Sequence, residues 1–192
     1  MLIKNYNYTE KEINMILTDT TNGEYIWVGF NNNGTTCTLQ KLSAHNPLQK
    51  YYDLDLTVNA IKKGIISGDY IYLALDSSSY IARRYPITNP LTASVNFNIP
   101  AGITEAPVDI LINTNVYLLI PGNISGTNTK IVVMTTAGVY VSTIDLSTVT
   151  NAISFTQDIA TGDFWVITYT SPATYVRVYQ ISGGSYNYTI NY

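Results

Sequence analysis

The chain has 192 residues, enough for one domain or two small ones, and 46% of them are hydrophobic, so a real buried core is expected. Charged residues make up only 12% and the formal net charge is −3, a balance that excludes the basic footprint of a nucleic-acid binder and any attraction to an anionic membrane. A single cysteine, Cys37, and a single histidine, His45, exclude disulfide frameworks, Cys/His zinc sites and most nucleophile-histidine chemistry, so neither catalytic residues, metal nor cofactor are expected.

Residues 1–9 read as an extra strand or an arm, carrying Tyr6 and Tyr8, and they lack the apolar run and small-residue cleavage site of a signal peptide. Nowhere do 18 apolar residues run together, so no membrane span is expected. From residue 10 onward one pattern returns four times, at about 10–56, 57–101, 102–147 and 148–192. Its clearest mark is the second strand of each copy, entered through Glu24-Tyr25-Ile26-Trp27-Val28, Asp69-Tyr70-Ile71-Tyr72-Leu73, Thr114-Asn115-Val116-Tyr117-Leu118 and Gly162-Asp163-Phe164-Trp165-Val166. Trp27, Tyr72, Tyr117 and Trp165 fall at equivalent positions as repeat-core residues, spaced 45, 45 and 48 apart. Gly23, Gly68 and Gly162 precede three of these strands and predict tight hairpins with positive φ, a conformation that Asn supplies in the third copy.

Within each copy, β-branched and aromatic residues form four short runs separated by turn residues, with no sustained 3.6-residue period. The second copy divides into Ala60–Ile66, Tyr70–Leu75, Tyr80–Ile87 and Ser94–Ile99; the fourth into Ala152–Gln157, Phe164–Tyr169, Thr174–Ile181 and Tyr186–Ile190. The second run is apolar at nearly every position, as in a strand covered on both faces. The fourth run alternates, with Tyr52, Leu54 and Leu56 opposite Asp53 and Asp55, as in an outer strand. The sequence therefore predicts an all-β chain of four four-stranded antiparallel meanders. A repeat of this length and strand count resembles the blade of a β-propeller, and the resemblance implies a four-bladed propeller over residues 10–192. Two packed sheets or a β-prism have the same strand count. The Trp-Asp and kelch signatures are absent, so the resemblance carries over no functional residue.

Candidate binding residues lie in the turns between second and third strands: Asn31, Asn32 and Asn33; Asp76 and Ser77; Asn123, Ser125 and Asn128. Such Asn/Ser/Thr-rich loops flanked by Tyr suit a paratope-like or sugar-binding surface, and they also suit plain turns. Asp53 and Asp55 share a strand face, where a solvated outer face accounts for them, and Lys62-Lys63 and Arg83-Arg84 are expected to point to opposite faces and form no basic patch. His45 precedes the Asn46-Pro47 turn and reads as a turn residue, and Cys37 reads as a small hydrophobe. The repeats hold one outer strand too many, so either the closing blade has five strands or a terminal strand, with Tyr6 and Tyr8 or with Tyr186 and Tyr188, is a candidate for pairing with another subunit.

Eight of the ten basic residues lie before Tyr85, and the second half carries few charges of either sign, as a surface shared with neighbours would. Low charge, abundant Tyr, Asn and Thr and the lack of a catalytic set resemble virion-associated structural proteins of tailed bacteriophages. The resemblance implies a non-enzymatic module, assembled in the host cytoplasm, whose partners are other protein subunits of a capsid, neck or tail, without nucleic acid or membrane. The alternative is a lectin-like propeller that binds a cell-surface glycan through its loops.

Overall fold

In the computed structural model, the described residues are 12–19, 24–44, 50–92, 94–122, 127–147, 149–169, 176–182 and 185–191, with side chains described up to residue 169. Among them are sixteen strands and no helix, so no helix is long and apolar enough to cross a membrane. The strands form four antiparallel sheets, each with its strands in sequence order. The chain divides into two compact units, residues 1–99 and 100–192.

The first unit holds sheets 1 and 2. Sheet 1 contains β1 (Glu12–Thr18), β2 (Tyr25–Asn31), β3 (Cys37–Ser43) and β4 (Lys50–Leu56); sheet 2 contains β5 (Ala60–Ser67), β6 (Tyr70–Asp76), β7 (Tyr80–Pro86) and β8 (Val95–Asn98). Trp27, Leu39 and Cys37 from sheet 1 pack with Ile61, Ile71, Leu73 and Leu75 from sheet 2 in one core. The sheets approach closely because of a glycine. A Cβ at Gly64 of β5 would collide with the Met15 sulfur and stand 3.2 Å from Leu17 and Leu73.

The second unit holds sheets 3 and 4. Sheet 3 contains β9 (Asp109–Ile112), β10 (Val116–Ile120), β11 (Thr129–Met134) and β12 (Tyr140–Leu146); sheet 4 contains β13 (Ala152–Gln157), β14 (Phe164–Tyr169), β15 (Val176–Ser182) and β16 (Ser185–Asn191). Leu119, Ile131 and Leu146 meet Phe155, Phe164 and Val166 in its core, with Tyr117 and Phe164 rings 5.2 Å apart.

The repeat-core aromatics occupy matching ladder positions. Trp27 pairs with Lys41 and Leu17, Tyr72 with Arg84 and Ile65, Tyr117 with Val133 and Leu111, and Trp165 with Gln180 and Thr156. Within each unit the first of the pair, Trp27 or Tyr117, packs with the core between the two sheets. Tyr72 and Trp165 alternate with residues of those cores and so lie on the opposite faces of their sheets.

Three expectations are modified. The second strand is buried along its middle in β2 and β6, but β14 alternates between buried and half-exposed residues, so Trp165 is half-buried where Trp27 is fully buried. Gly68 and Gly162 take φ of 55° and 79° as expected, whereas neither Asn113 nor Asn115 does; among the described non-glycine residues positive φ occurs at Asn151 alone. The loop between Ile112 and Val116, closed by the Asn113 N–H donating to the Asn115 carbonyl, turns without it. Finally, Lys62 and Lys63 are both exposed rather than on opposite faces, because β5 carries a bulge between Ile61 and Lys63 that breaks the alternation. Similar irregularities fall near the start of β1, between Ile13 and Met15, and of β13, between Ala152 and Ser154.

Candidate functional site

The loop between β2 and β3 spends its polar side chains on itself. The Asn33 carboxamide oxygen accepts from the backbone N–H groups and hydroxyls of Thr35 and Thr36 at 2.9–3.2 Å, and Asn32 Nδ2 donates to Thr38 Oγ1 at 3.0 Å. Asn31 faces inward: its Oδ1 accepts from the Ile61 N–H at 3.0 Å and from the Cys37 thiol at 3.2 Å. In the next repeat Asp76 accepts from Asn59 Nδ2 at 3.2 Å and faces the Lys62 ammonium at 3.6 Å, while Ser77 Oγ accepts from the Ser79 N–H. These are the bonds that shape Asx and Ser turns.

On β4, Asp53 and Asp55 are exposed but engaged. Asp53 takes the Lys50 ammonium at 2.7 Å and the Gln40 amide at 3.2 Å, and Asp55 takes the Thr38 hydroxyl at 2.9 Å. Among the described residues no group of three or more His, Cys, Asp or Glu side chains is placed to hold a metal ion. Tyr6, Tyr8, His45, Asn123 and Ser125 lie outside the described residues. Tyr186 and Tyr188 are on β16, paired with Ile181 and Gln180, and their side chains lie outside the described set.

Among the described residues, Tyr25, Tyr70, Tyr72, Tyr80 and Tyr85 lie against cations. The Lys41 ammonium sits 4.2 Å from the Tyr25 ring centroid and 5.4 Å from that of Trp27, and donates to the Ile87 carbonyl at 2.8 Å. Burial pushes its pKa down, against a smaller upward pull from Asp19. Arg83 lies over Tyr80 and Arg84 over Tyr70, at 4.3 and 4.1 Å, so this doublet does point to opposite faces. Composition could not assign these partners, because cation–π pairing depends on cross-strand register.

Two surfaces in the second unit remain available. One is the hairpin joining β11 and β12. Residues 131–144 carry no charge, and Val139, Tyr140 and Val141 are 61%, 49% and 51% exposed. Gly138, with φ of 82°, forms the turn, and the bulge opposite Val133 and Met134 abolishes the in-out alternation that would have hidden every second residue. The other is a small cleft of about 30 Å³ formed by the segment before β9 and the start of β11. Ile103 and Ile120 floor it, and Glu105, Asn128 and Lys130 stand around it. Thr127 Oγ1 donates to Glu105 at 2.6 Å, Lys130 Nζ to the Gly102 carbonyl at 3.3 Å, and Asn128 Nδ2 to Asp145 at 3.1 Å. Of these, sequence reading singled out Asn128; Glu105 and Lys130 belong to no motif and converge only through the fold.

No protein-family model and no curated protein sequence matches the chain. Several solved structures share its fold. The hydrazine synthase of Kuenenia stuttgartiensis is 13% identical with a TM-score of 0.70, covering 100% of this chain and 53% of that one. A prolyl endopeptidase is 14% identical with a TM-score of 0.61, over 95% of this chain and 27% of that one. YCF48, solved bound to D1 peptide, is 10% identical with a TM-score of 0.57, over 93% and 53%. These neighbours are β-propeller proteins, so the chain has a propeller-like repeat fold. They include enzymes, and the chain spans about half or less of their length.

Proposed function

We propose that the chain is a non-enzymatic interaction module whose partners are other protein subunits. The observation that carries this reading is the uncharged β11–β12 hairpin, where three consecutive apolar side chains are about half exposed or more. An outer strand in an ordinary setting is guarded by charge, as β4 is by Lys50, Asp53 and Asp55. Between Lys130 and Asp145 the hairpin has no such guard. Exposed apolar groups rimmed by polar ones favour protein contact. Replacing Val139 and Val141 by Asp tests it by light scattering and by pull-down of the native assembly. Loss of association from a folded variant is expected; unchanged association overturns the reading.

We further propose that the four sheets are blades of a four-bladed β-propeller. Support comes from Ile16, Gly64, Ile110 and Phe155, which pair with Val28, Leu73, Leu118 and Val166 at one equivalent register. Gly64, Ile110 and Phe155 are buried, whereas Ile16 is 63% exposed. Closure of a ring would cover Ile16. In a closed ring Ile16→Asp costs about 2 kcal/mol or more, as burying a charge in an apolar contact does; a change within about 0.5 kcal/mol, the range for surface sites, counts against closure.

The placement of this module in a tailed-phage virion rests on composition alone, namely scarce charge with abundant Tyr, Asn and Thr. Detection of the chain in purified particles by mass spectrometry is the expected result. Its confinement to the soluble lysate of infected cells would exclude the placement.

A further inference from the structure

We propose that the cleft beside β9 and β11 is a binding site for a neutral polyhydroxylated group, the diol or hydroxymethyl of a saccharide. Its volume of about 30 Å³ is room for about two water-sized groups, so it takes an edge of a ligand and leaves the rest in solvent. The floor is apolar, with Ile103 8% and Ile120 3% exposed, which suits the C–H face of a sugar. The rim offers both hydrogen-bond roles. Glu105 is an acceptor already satisfied by a hydroxyl, that of Thr127 at 2.6 Å, which shows the geometry that a ligand hydroxyl would reproduce. With its Nδ2 committed to Asp145, Asn128 offers Oδ1 as a second acceptor, and the Lys130 ammonium, held on the Gly102 carbonyl, is a donor.

Charge selects the ligand class. An anion attracted to Lys130 meets the Glu105 carboxylate, and a cation attracted to Glu105 meets Lys130, since both line the same small cleft. A hydroxyl both donates and accepts and satisfies either side without repulsion. This site is separate from the β11–β12 hairpin, so failure of one proposal leaves the other standing. A contact of this size is weak on its own, and presentation on an oligomer would raise its avidity.

The test is an amide NMR titration of the full chain with D-galactose and N-acetyl-D-glucosamine, with two controls: glycine, a zwitterion whose two charges could match Glu105 and Lys130, and acetate, an anion. Saturable shifts confined to residues 102–105 and 127–130, with at least one sugar and neither control, are expected. Glu105→Gln should weaken that binding about tenfold, as loss of a charge-assisted hydrogen bond does. Asn128→Ala, which removes an acceptor on the other side, should weaken it too and covers the case in which the first variant fails to fold. No response to either sugar, an equal response to glycine or acetate, or full-strength binding by a folded variant overturns the proposal.

Discussion

The Asn31 carboxamide oxygen, at the end of β2, accepts the backbone N–H of Ile61 on β5 at 3.0 Å. This bond crosses from sheet 1 to sheet 2 beside the bulge that follows Ile61 in β5. From the other side, Asn14 Nδ2 donates to the Ile61 carbonyl at 3.2 Å. Asp109 does the corresponding work in the second unit, accepting from the Phe155 N–H at 3.2 Å and the Ser154 hydroxyl at 2.6 Å, next to the bulge in β13. In both units the donor is a backbone N–H on the edge strand that opens a sheet, and a side chain of the preceding sheet accepts it.

Asn31→Ala should therefore cost about 1–3 kcal/mol, the penalty for leaving a buried donor unpaired. Asn31→Asp retains an oxygen acceptor and should lose less. Urea denaturation of both variants measures the difference, and an Ala variant as stable as the parent would show that Ile61 finds another partner.

Gly64→Ala should destabilise by about 1–3 kcal/mol through overpacking. Its Cβ meets Met15, Leu17 and Leu73 at a point where two sheets touch, and only Met15 is unbranched enough to move aside. A compensating Met15→Ala in the same chain should recover part of the loss. Thermal unfolding of the single and double variants tests this, and simple additivity would rule out the contact as its cause.

The Tyr85 phenol is 3% exposed and accepts from Arg83 Nη1 at 2.9 Å. Burial raises its pKa above the ordinary value of 10.0, against a smaller lowering by Arg83. The folded state thus holds the phenolic proton after the unfolded state has released it. The resulting stability is fully present below pH 10.0 and is lost as the pH rises through the higher folded value. Lys41 acts with the opposite sign: its lowered pKa makes stability rise with pH between the folded value and 10.5. Tyr85→Phe should flatten the alkaline loss above pH 10 in stability-pH curves, and Lys41→Met should remove the rise with pH that ends at 10.5. An unchanged slope in the Phe variant assigns the loss to other groups.

Cys37 is fully buried, and its thiol donates to Asn31 Oδ1. Burial is the largest influence on its pKa and raises it, so the folded chain should react with iodoacetamide only through opening of the first unit. Alkylation rates measured against urea should follow unfolding. Rapid labelling without denaturant would place the thiol at the surface.

The strand pattern was legible because four copies reinforced each other: each expected second strand was found, with Trp27, Tyr72, Tyr117 and Trp165 at one ladder position. Bulges were not legible. They shift one residue of register without changing composition, and so Lys62 and Lys63 came out on one exposed stretch despite a parity argument that is sound for regular strands. The loop asparagines show a different limit. Asn33 and Asn31 look alike in sequence, yet one closes its own turn and the other bonds to a strand thirty residues away. Residue type reveals hydrogen-bonding capacity, and topology decides where it is spent.

That each unit carries a core of its own bears on cooperativity. Trp27 and its neighbours form a cluster within residues 1–99, and Leu119 and its neighbours form one within residues 100–192. Asn31, Gly64, Tyr85 and Cys37 all belong to the first. Hydrogen exchange resolved along the chain should show their variants loosening β2, β3, β5 and β6, and the protection kept by β10 and β11 measures whether one midpoint temperature stands for one event or two.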